Sequence, residues 1–412
     1  MNLWLIFILT IIVLHYALDT IVSLVNIRAL SPHLPEEFSD TYKQDKYRES
    51  QNYTKATTKL SLLENSLTTI VTVVFLLAGG FNVIDGFARS FEFGSIVTGL
   101  IFTGSLVFLS LLLSLPFSLY STFRVEERFG FNRTTASVFI MDMLKGLVLG
   151  IILGSPLLGA ILWFFENGGT YAWLYCWVGV VVFGVLLQFL APILIMPLFN
   201  KFTALEDGPL KEKILAYAKQ ENFALKGIFT MDGSKRSAKL NAFFTGFGKF
   251  RKIVFFDTLL EKLEDDEIVA VLAHEMGHFK KKHILKMMAS SVLQTGLMFF
   301  LLSLFIENRG LFSAFGMENL SVYASLVFFA FLYSPLSTLI SVFANYLSRI
   351  HEFEADLYAA KTTGKPEMLA QSLKKLSREN LSNLTPHPLM VAFSYSHPPV
   401  LARIQSLNRI KI

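Results

Sequence analysis

Hydrophobic positions gather into seven long runs, near residues 3–25, 66–84, 95–120, 143–164, 171–197, 287–306 and 322–345. A helix crossing a bilayer core about 30 Å thick needs roughly 20 apolar residues, and an irregular backbone in lipid would leave its polar groups unpaired. Each run therefore predicts a membrane-spanning helix. The first has no basic leader and continues through His15 and Asp19 without a small-residue cleavage site, so it reads as a retained span and not a secretion signal. His15, Asp19, Lys145 and Gln188 would be costly against lipid and are expected to face other helices or a wet cavity. Two hydrophilic stretches interrupt the pattern, and the chain divides into 1–198 with spans one to five, 199–286, 287–345 with spans six and seven, and 346–412.

Composition sharpens this picture. Of 412 residues, 53% are hydrophobic and 17% charged, against about 45–50% and about 25% in soluble domains. Net charge is +5 without a long basic tract, which sets nucleic acid aside as a partner. Cys176 is the only cysteine, so neither an intramolecular disulfide nor a thiolate metal cluster is available. Any metal must be held by histidine and carboxylate.

Charge also sets orientation, because cytoplasmic loops retain lysine and arginine. The loop after span one carries Arg28, Lys43, Lys46, Arg48, Lys55 and Lys59, and that after span three carries Arg124, Arg128 and Arg133, whereas the opposite face offers only Arg89 and Arg309. The expected arrangement is an outside N-terminus and an inside C-terminus. Both hydrophilic segments then emerge in the cytoplasm, two spans apart, and can assemble into one domain.

The candidate chemistry lies in those segments. His274-Glu275-Met276-Gly277-His278 follows an acidic stretch, Glu264 to Glu267, that suits a helix N-terminus. Histidines four apart share a helical face and can both bind zinc, with Glu275 beside them as a general base on water. No third histidine follows at the spacing of an extended motif, since residues 279–283 read Phe-Lys-Lys-Lys-His. A hydrolytic zinc site needs three protein ligands and an open position. Glu352, in His351-Glu352-Phe353-Glu354-Ala355-Asp356, is the favoured third ligand, although an acidic helix face is usually only solvated. Asp356 shares its face and could orient a ligating histidine, while Glu354 should point elsewhere. About nine residues separate His278 from span six, roughly 14 Å if the helix is continuous, which places the metal close to the membrane surface. Gly227 to Met231, Asn241 to Phe247 and Lys252 to Phe256 have strand-like content, and an edge strand among them could bind an extended peptide.

These residues resemble the type I CAAX prenyl endopeptidases, integral-membrane zinc metalloproteases with seven transmembrane helices. The likeness runs through Val125 to Asn132, Gly233 to Ser237, Asn241 to Phe244, Phe256 to Leu260, His274 to His278, Glu352 to Asp356, and Tyr395-Ser396-His397-Pro398-Pro399 with Arg403. It implies a predominantly α, polytopic fold with a small α+β cytoplasmic zinc metalloprotease domain built from two segments. It also implies one zinc ion on His274, His278 and Glu352, water activation by Glu275, and Asp356 and Arg403 in support. His397 would contact the substrate carbonyl region, and Asn241 would lie beside the substrate backbone.

Family members remove the three residues after a prenylated cysteine, so the implied partners are a peptide or protein substrate, prenylated at a C-terminal CAAX motif, and membrane lipid. The absence of a KDEL-type or dilysine-type ending favours a bacterial inner membrane over the endoplasmic reticulum. A bacterial member would more naturally perform general membrane-protein quality control. From a different class, a transporter or scaffold with a regulatory zinc site also suits seven spans, but neither requires the water-activating Glu275.

Overall fold

In the computed structural model, which describes residues 2–245 and 252–410, helices dominate. The first half holds α1 (Leu3–Arg28), α2 (Gln44–Leu77), α3 (Gly80–Arg89), α4 (Ser95–Tyr120), α5 (Ala136–Asn167), α6 (Ala172–Leu190) and α7 (Met196–Phe199). There follow α8 (Pro209–Gln220), α9 (Asp257–Leu260), α10 (Asp265–Lys280), α11 (His283–Ser303) and α12 (Arg309–Ala314). The chain closes with α13 (Val322–Thr363), α14 (Pro366–Glu379), α15 (Pro388–Ser394) and α16 (Val400–Asn408). Seven helical stretches among the described residues are long and apolar enough to cross a membrane, so the protein is a multi-pass membrane protein. At most 17% of the most apolar stretch of any of them is buried inside the protein. Most of each helix surface is therefore left to other surroundings, which an apolar side chain tolerates only if they are lipid-like.

Two expectations from the hydrophobic pattern need correction. The second span does not run from 66 to 84: its helix extends from Gln44 to Leu77, and the chain breaks at Gly79, whose φ of 72° lies in the left-handed region. Residues 80–89 then form a separate amphipathic helix that buries Phe81, Asp85 and Ala88 on one face. Nor is the helix continuous from His278 into span six. α10 ends at Lys280, Lys282 takes φ 58°, and α11 starts at His283.

A four-stranded sheet, β1 (Phe202–Ala204), β2 (Gly227–Met231), β3 (Ala242–Thr245) and β4 (Lys252–Phe256), is ordered β1-β2-β4-β3. β2 and β4 pair in parallel, and β3 pairs antiparallel with β4, leaving β3 at an edge. Three of these strands were legible as aromatic and β-branched runs; β1 was not. The part of the predicted third-strand run at 246 and 247 lies outside the described residues. Ile253, Phe255, Ile214, Leu272, Met276, Ala359, Leu369 and Leu407 form one core joining the sheet to α8, α10, α13, α14 and α16. A second core, rich in phenylalanine, gathers at the other end of α13 around Phe81, Phe102, Phe312, Phe315 and Phe328.

The segment from the loop after α4 into the first turns of α5 is tied to the residues between β2 and β3. Arg133 N donates to Arg236 O, Ala238 N donates to Phe131 O, and the Arg236 guanidinium donates twice to Asp142. Two sequence segments about a hundred residues apart thus fix the sheet against the ends of the membrane helices.

Candidate metal centre

α10 is launched by a capping box in which Glu264 and Glu267 satisfy each other's backbone N–H groups, with Asp265 and Asp266 adding negative charge to the first turn. Three turns later the same helix presents His274 and His278 towards α13. The two helices meet at Gly277, where a Cβ would lie 3.0 Å from Ala355 Cα and 3.1 Å from Ala355 O. Only glycine allows that approach, and it brings Glu352 up to the histidines.

His274 Nε2 and His278 Nε2 stand 3.2 Å apart. Glu352 Oε2 lies 3.4 Å from the first and Glu352 Oε1 3.2 Å from the second. One ligand atom from each residue falls within 4.8 Å of the others. His274 Nδ1 donates to Asp356 Oδ1 at 2.8 Å. Because a carboxylate only accepts, that bond puts the proton on Nδ1 and frees Nε2 as a ligand. Asp356 is in turn clamped by Arg403, with Nε at 2.8 Å and Nη2 at 2.6 Å, while Arg403 Nη1 lies 3.1 Å from Glu352 Oε2. All four side chains are buried. The buried Arg403–Asp356 pair is tolerable because guanidinium and carboxylate satisfy one another bidentately, whereas Glu352 Oε2 is buried without a hydrogen bond among the described residues. Three donors converging with their lone pairs turned inwards suit a divalent metal, so the residues present fit one.

Burial and the nearby Arg403 charge push the His274 imidazole down, while hydrogen bonds to Asp356 and Glu352 push it up. In the metal-free chain the balance lies at about 9. Metal and proton therefore compete for this side chain.

Glu275 follows His274 on α10 and is half-buried. His397 reaches the cluster from the loop before α16: its Nε2 is 3.4 Å from Glu352 Oε1, its Nδ1 is 3.0 Å from Ser396 Oγ, and its side chain is 66% exposed. It therefore lines the open side. Asn241 stands immediately before β3. Its carbonyl accepts from Phe256 N, and its side chain accepts from Ala242 N at the start of β3.

Sequence reasoning missed several supports. Arg349 Nη1 donates to Val391 O and Tyr395 O at 2.9 and 2.7 Å, pinning the loop that carries His397. Asn380 grips both backbone groups of Leu240, just before the edge strand. His283 lies 3.0 Å from His278 and contacts Glu354. None of these pairs has a helical spacing that a sequence pattern could reveal.

Seven spans together with this His, His and carboxylate cluster point to a membrane metallopeptidase. Residues 23–201 match a domain described as CAAX prenyl protease N-terminal, five membrane helices, and residues 204–411 match Peptidase family M48. The chain is 36% identical over 403 residues to a CAAX prenyl protease 1 homolog of Arabidopsis thaliana, covering 95% of each. It is 35% identical to CAAX prenyl protease 1 of Saccharomyces cerevisiae, over 92% of this chain and 89% of the relative. It superposes on a crystal structure of S. mikatae Ste24p with a TM-score of 0.94 at 33% identity, covering 98% of this chain and 99% of that one. The protein belongs to peptidase family M48 and is an integral-membrane metalloendopeptidase acting on a protein or peptide substrate.

Proposed function

We propose that this protein uses one zinc ion to hydrolyse the C-terminal peptide of prenylated CAAX substrates on the cytoplasmic face of its membrane. The observation that carries the proposal is the convergence of His274 Nε2, His278 Nε2 and the Glu352 carboxylate beside Glu275. Two imidazoles and one carboxylate are the donor set of hydrolytic zinc, and these three residues would hold it. Zinc bound there supplies Lewis acidity, which polarises a scissile carbonyl and acidifies water.

The remaining work falls to the chain itself. Glu275 takes a proton from the attacking water and later delivers it to the leaving amine. His397, exposed and within reach of Glu352, donates to the oxygen that becomes negative in the tetrahedral intermediate. Asp356 holds the His274 tautomer, and Arg403 holds Asp356. The free edge of β3 beside Asn241 accepts the substrate as an added strand.

The substrate class follows the names of the relatives, and the cytoplasmic orientation follows the loop charges. In the same reading, 199–286 and 346–412 make one catalytic domain, and 1–198 with 287–345 hold it at the lipid surface. The relatives named above come from a plant and a yeast, which favours the endoplasmic reticulum over a bacterial inner membrane. Reporter fusions after Phe165 and Lys201 are expected on opposite faces.

The deciding experiment is to purify wild type and Glu275→Ala in detergent and measure bound zinc together with cleavage of a farnesylated CAAX peptide and its unprenylated counterpart. Wild type is expected to cleave the farnesylated peptide preferentially, and the variant to bind zinc without cleaving. Absence of zinc from both overturns the ligand assignment. Equal cleavage of the two peptides removes the prenyl preference and leaves general proteolysis.

A further inference from the structure

His274 and His278 need the same kind of help, because a histidine can ligate through Nε2 only while Nδ1 keeps its proton. Asp356 provides it for His274. Among the described residues, His278 has no carboxylate at Nδ1. Its Nδ1 instead stands 3.0 Å from His283 Nδ1, and His283 Nε2 stands 2.8 Å from Glu354 Oε2.

We propose that His283 and Glu354 form a positioning relay that holds His278 in its metal-binding tautomer; the inference rests on the zinc-site reading above. The proton assignments follow by elimination. Glu354 only accepts, so His283 carries its proton on Nε2; neutral His283 then has a bare Nδ1, which accepts from His278 Nδ1–H and leaves His278 Nε2 free to face His274 and Glu352. His283 is 1% exposed, and the His351 ring stacks on it with centroids 4.1 Å apart and planes 13° from parallel, which fixes its orientation.

The break between α10 and α11 creates this contact. In an unbroken helix, residues five apart point about 140° away from each other at about 100° per residue. Lys282, at φ 58°, adopts a backbone conformation that a lysine side chain disfavours, and turns the chain so that His283 comes back against His278. Glu354 is then reached from α13, two residues past Glu352, on a different side of the helix.

The test is competition titration of Zn²⁺ against a chromophoric chelator on the full-length protein in detergent, with thermal unfolding of each variant measured alongside. His283→Leu is expected to weaken zinc binding by about 10–100-fold and Glu354→Ala by about tenfold. The amides separate a relay from a mere link between helices. His283→Asn puts an acceptor near the former Nδ1 but cannot reach Glu354, whereas His283→Gln can reach Glu354 but offers His278 nothing. Affinity recovered by Asn and not by Gln supports the relay. Recovery by Gln and not by Asn overturns it, as does wild-type affinity in a folded His283→Leu. If the buried His283 variants do not fold, the half-exposed Glu354 decides: Glu354→Ala within twofold of wild type overturns the relay. Failure of the wild type itself to bind zinc, or of His278→Ala to lose it, overturns instead the zinc-site reading beneath.

Discussion

A buried aspartate with an arginine partner sits at each end of α13, and only one of the two supports converging metal-ligand atoms among the described residues. Near the first turn, Asp85 accepts from Arg89 Nε at 2.7 Å and from the Tyr323 hydroxyl at 2.5 Å. Near the other end, Asp356 accepts from Arg403 and from His274 Nδ1. Helix α13 has 42 residues, about 63 Å at 1.5 Å per residue, roughly twice a bilayer core. One nest thus sits at each end of a helix that outruns the membrane. In the first, a phenol and a guanidinium give the aspartate its hydrogen bonds, and no imidazole takes part. In the second, the group receiving support is an imidazole with a second nitrogen, so the hydrogen bond from His274 Nδ1 to Asp356 leaves the Nε2 lone pair facing inwards. A buried ion pair by itself indicates packing; converging, unspent donor atoms indicate chemistry.

The sharpest way to break the comparison is to remove chemistry and leave both nests intact. Glu275→Gln is expected to lower turnover by about 10²–10⁴-fold with zinc content unchanged, because it deletes the proton acceptor and no ligand; retained turnover in a steady-state peptide assay would sink the general-base role. Next comes Arg403→Leu, which leaves Asp356 and Glu352 buried without their cation. A loss of about 3–5 kcal/mol of stability is expected, read in metal-free protein by thermal unfolding, together with weaker zinc binding.

A smaller effect concerns pH. Because the His274 pKa is raised to about 9 from 6.5, the metal-free fold binds that proton more tightly than the unfolded chain. Its stabilising contribution is complete below about pH 6.5 and fades as pH rises through about 9. Zinc needs the bare nitrogen, so its apparent affinity is expected to rise across the same window, by up to about tenfold per pH unit. A flat affinity profile from pH 6.5 to 9 would contradict the competition. The smallest change is expected at the opposite nest. Arg89→Gln can still donate to Asp85, and the Arg89 side chain is 39% exposed, so about 1 kcal/mol is expected to be lost. Zinc affinity should not move, and a shift beyond twofold would show that the two ends are coupled.

Much of this was legible without coordinates. Seven spans, three strands and the pairing of His274 with His278 are local facts, because helical and strand periodicities place residues on faces regardless of what they meet. The acidic start of α10 likewise announced its own cap. Glu352 and Asp356 were legible as a shared face, though one that solvent would ordinarily occupy. The Gly79 break moved the second span, because a hydropathy run does not register a single left-handed glycine inside it. His283 looked like the end of a lysine run, and its partnership with His278 depends on the backbone at Lys282.

By itself, then, the sequence determined which segments are apolar enough for lipid, which histidines share a face, and that any metal must be held without thiolates. Tertiary structure alone decided that α10 and α13 touch at Gly277, that Arg403 reaches both Asp356 and Glu352, and that His397 stands over an open side while Asn241 stands at the start of β3. The physical reason is range. Solvation and periodicity act within a few residues and are written in composition, whereas a metal centre needs donor atoms within a few ångströms drawn from helices some eighty residues apart, and only packing selects which of them meet.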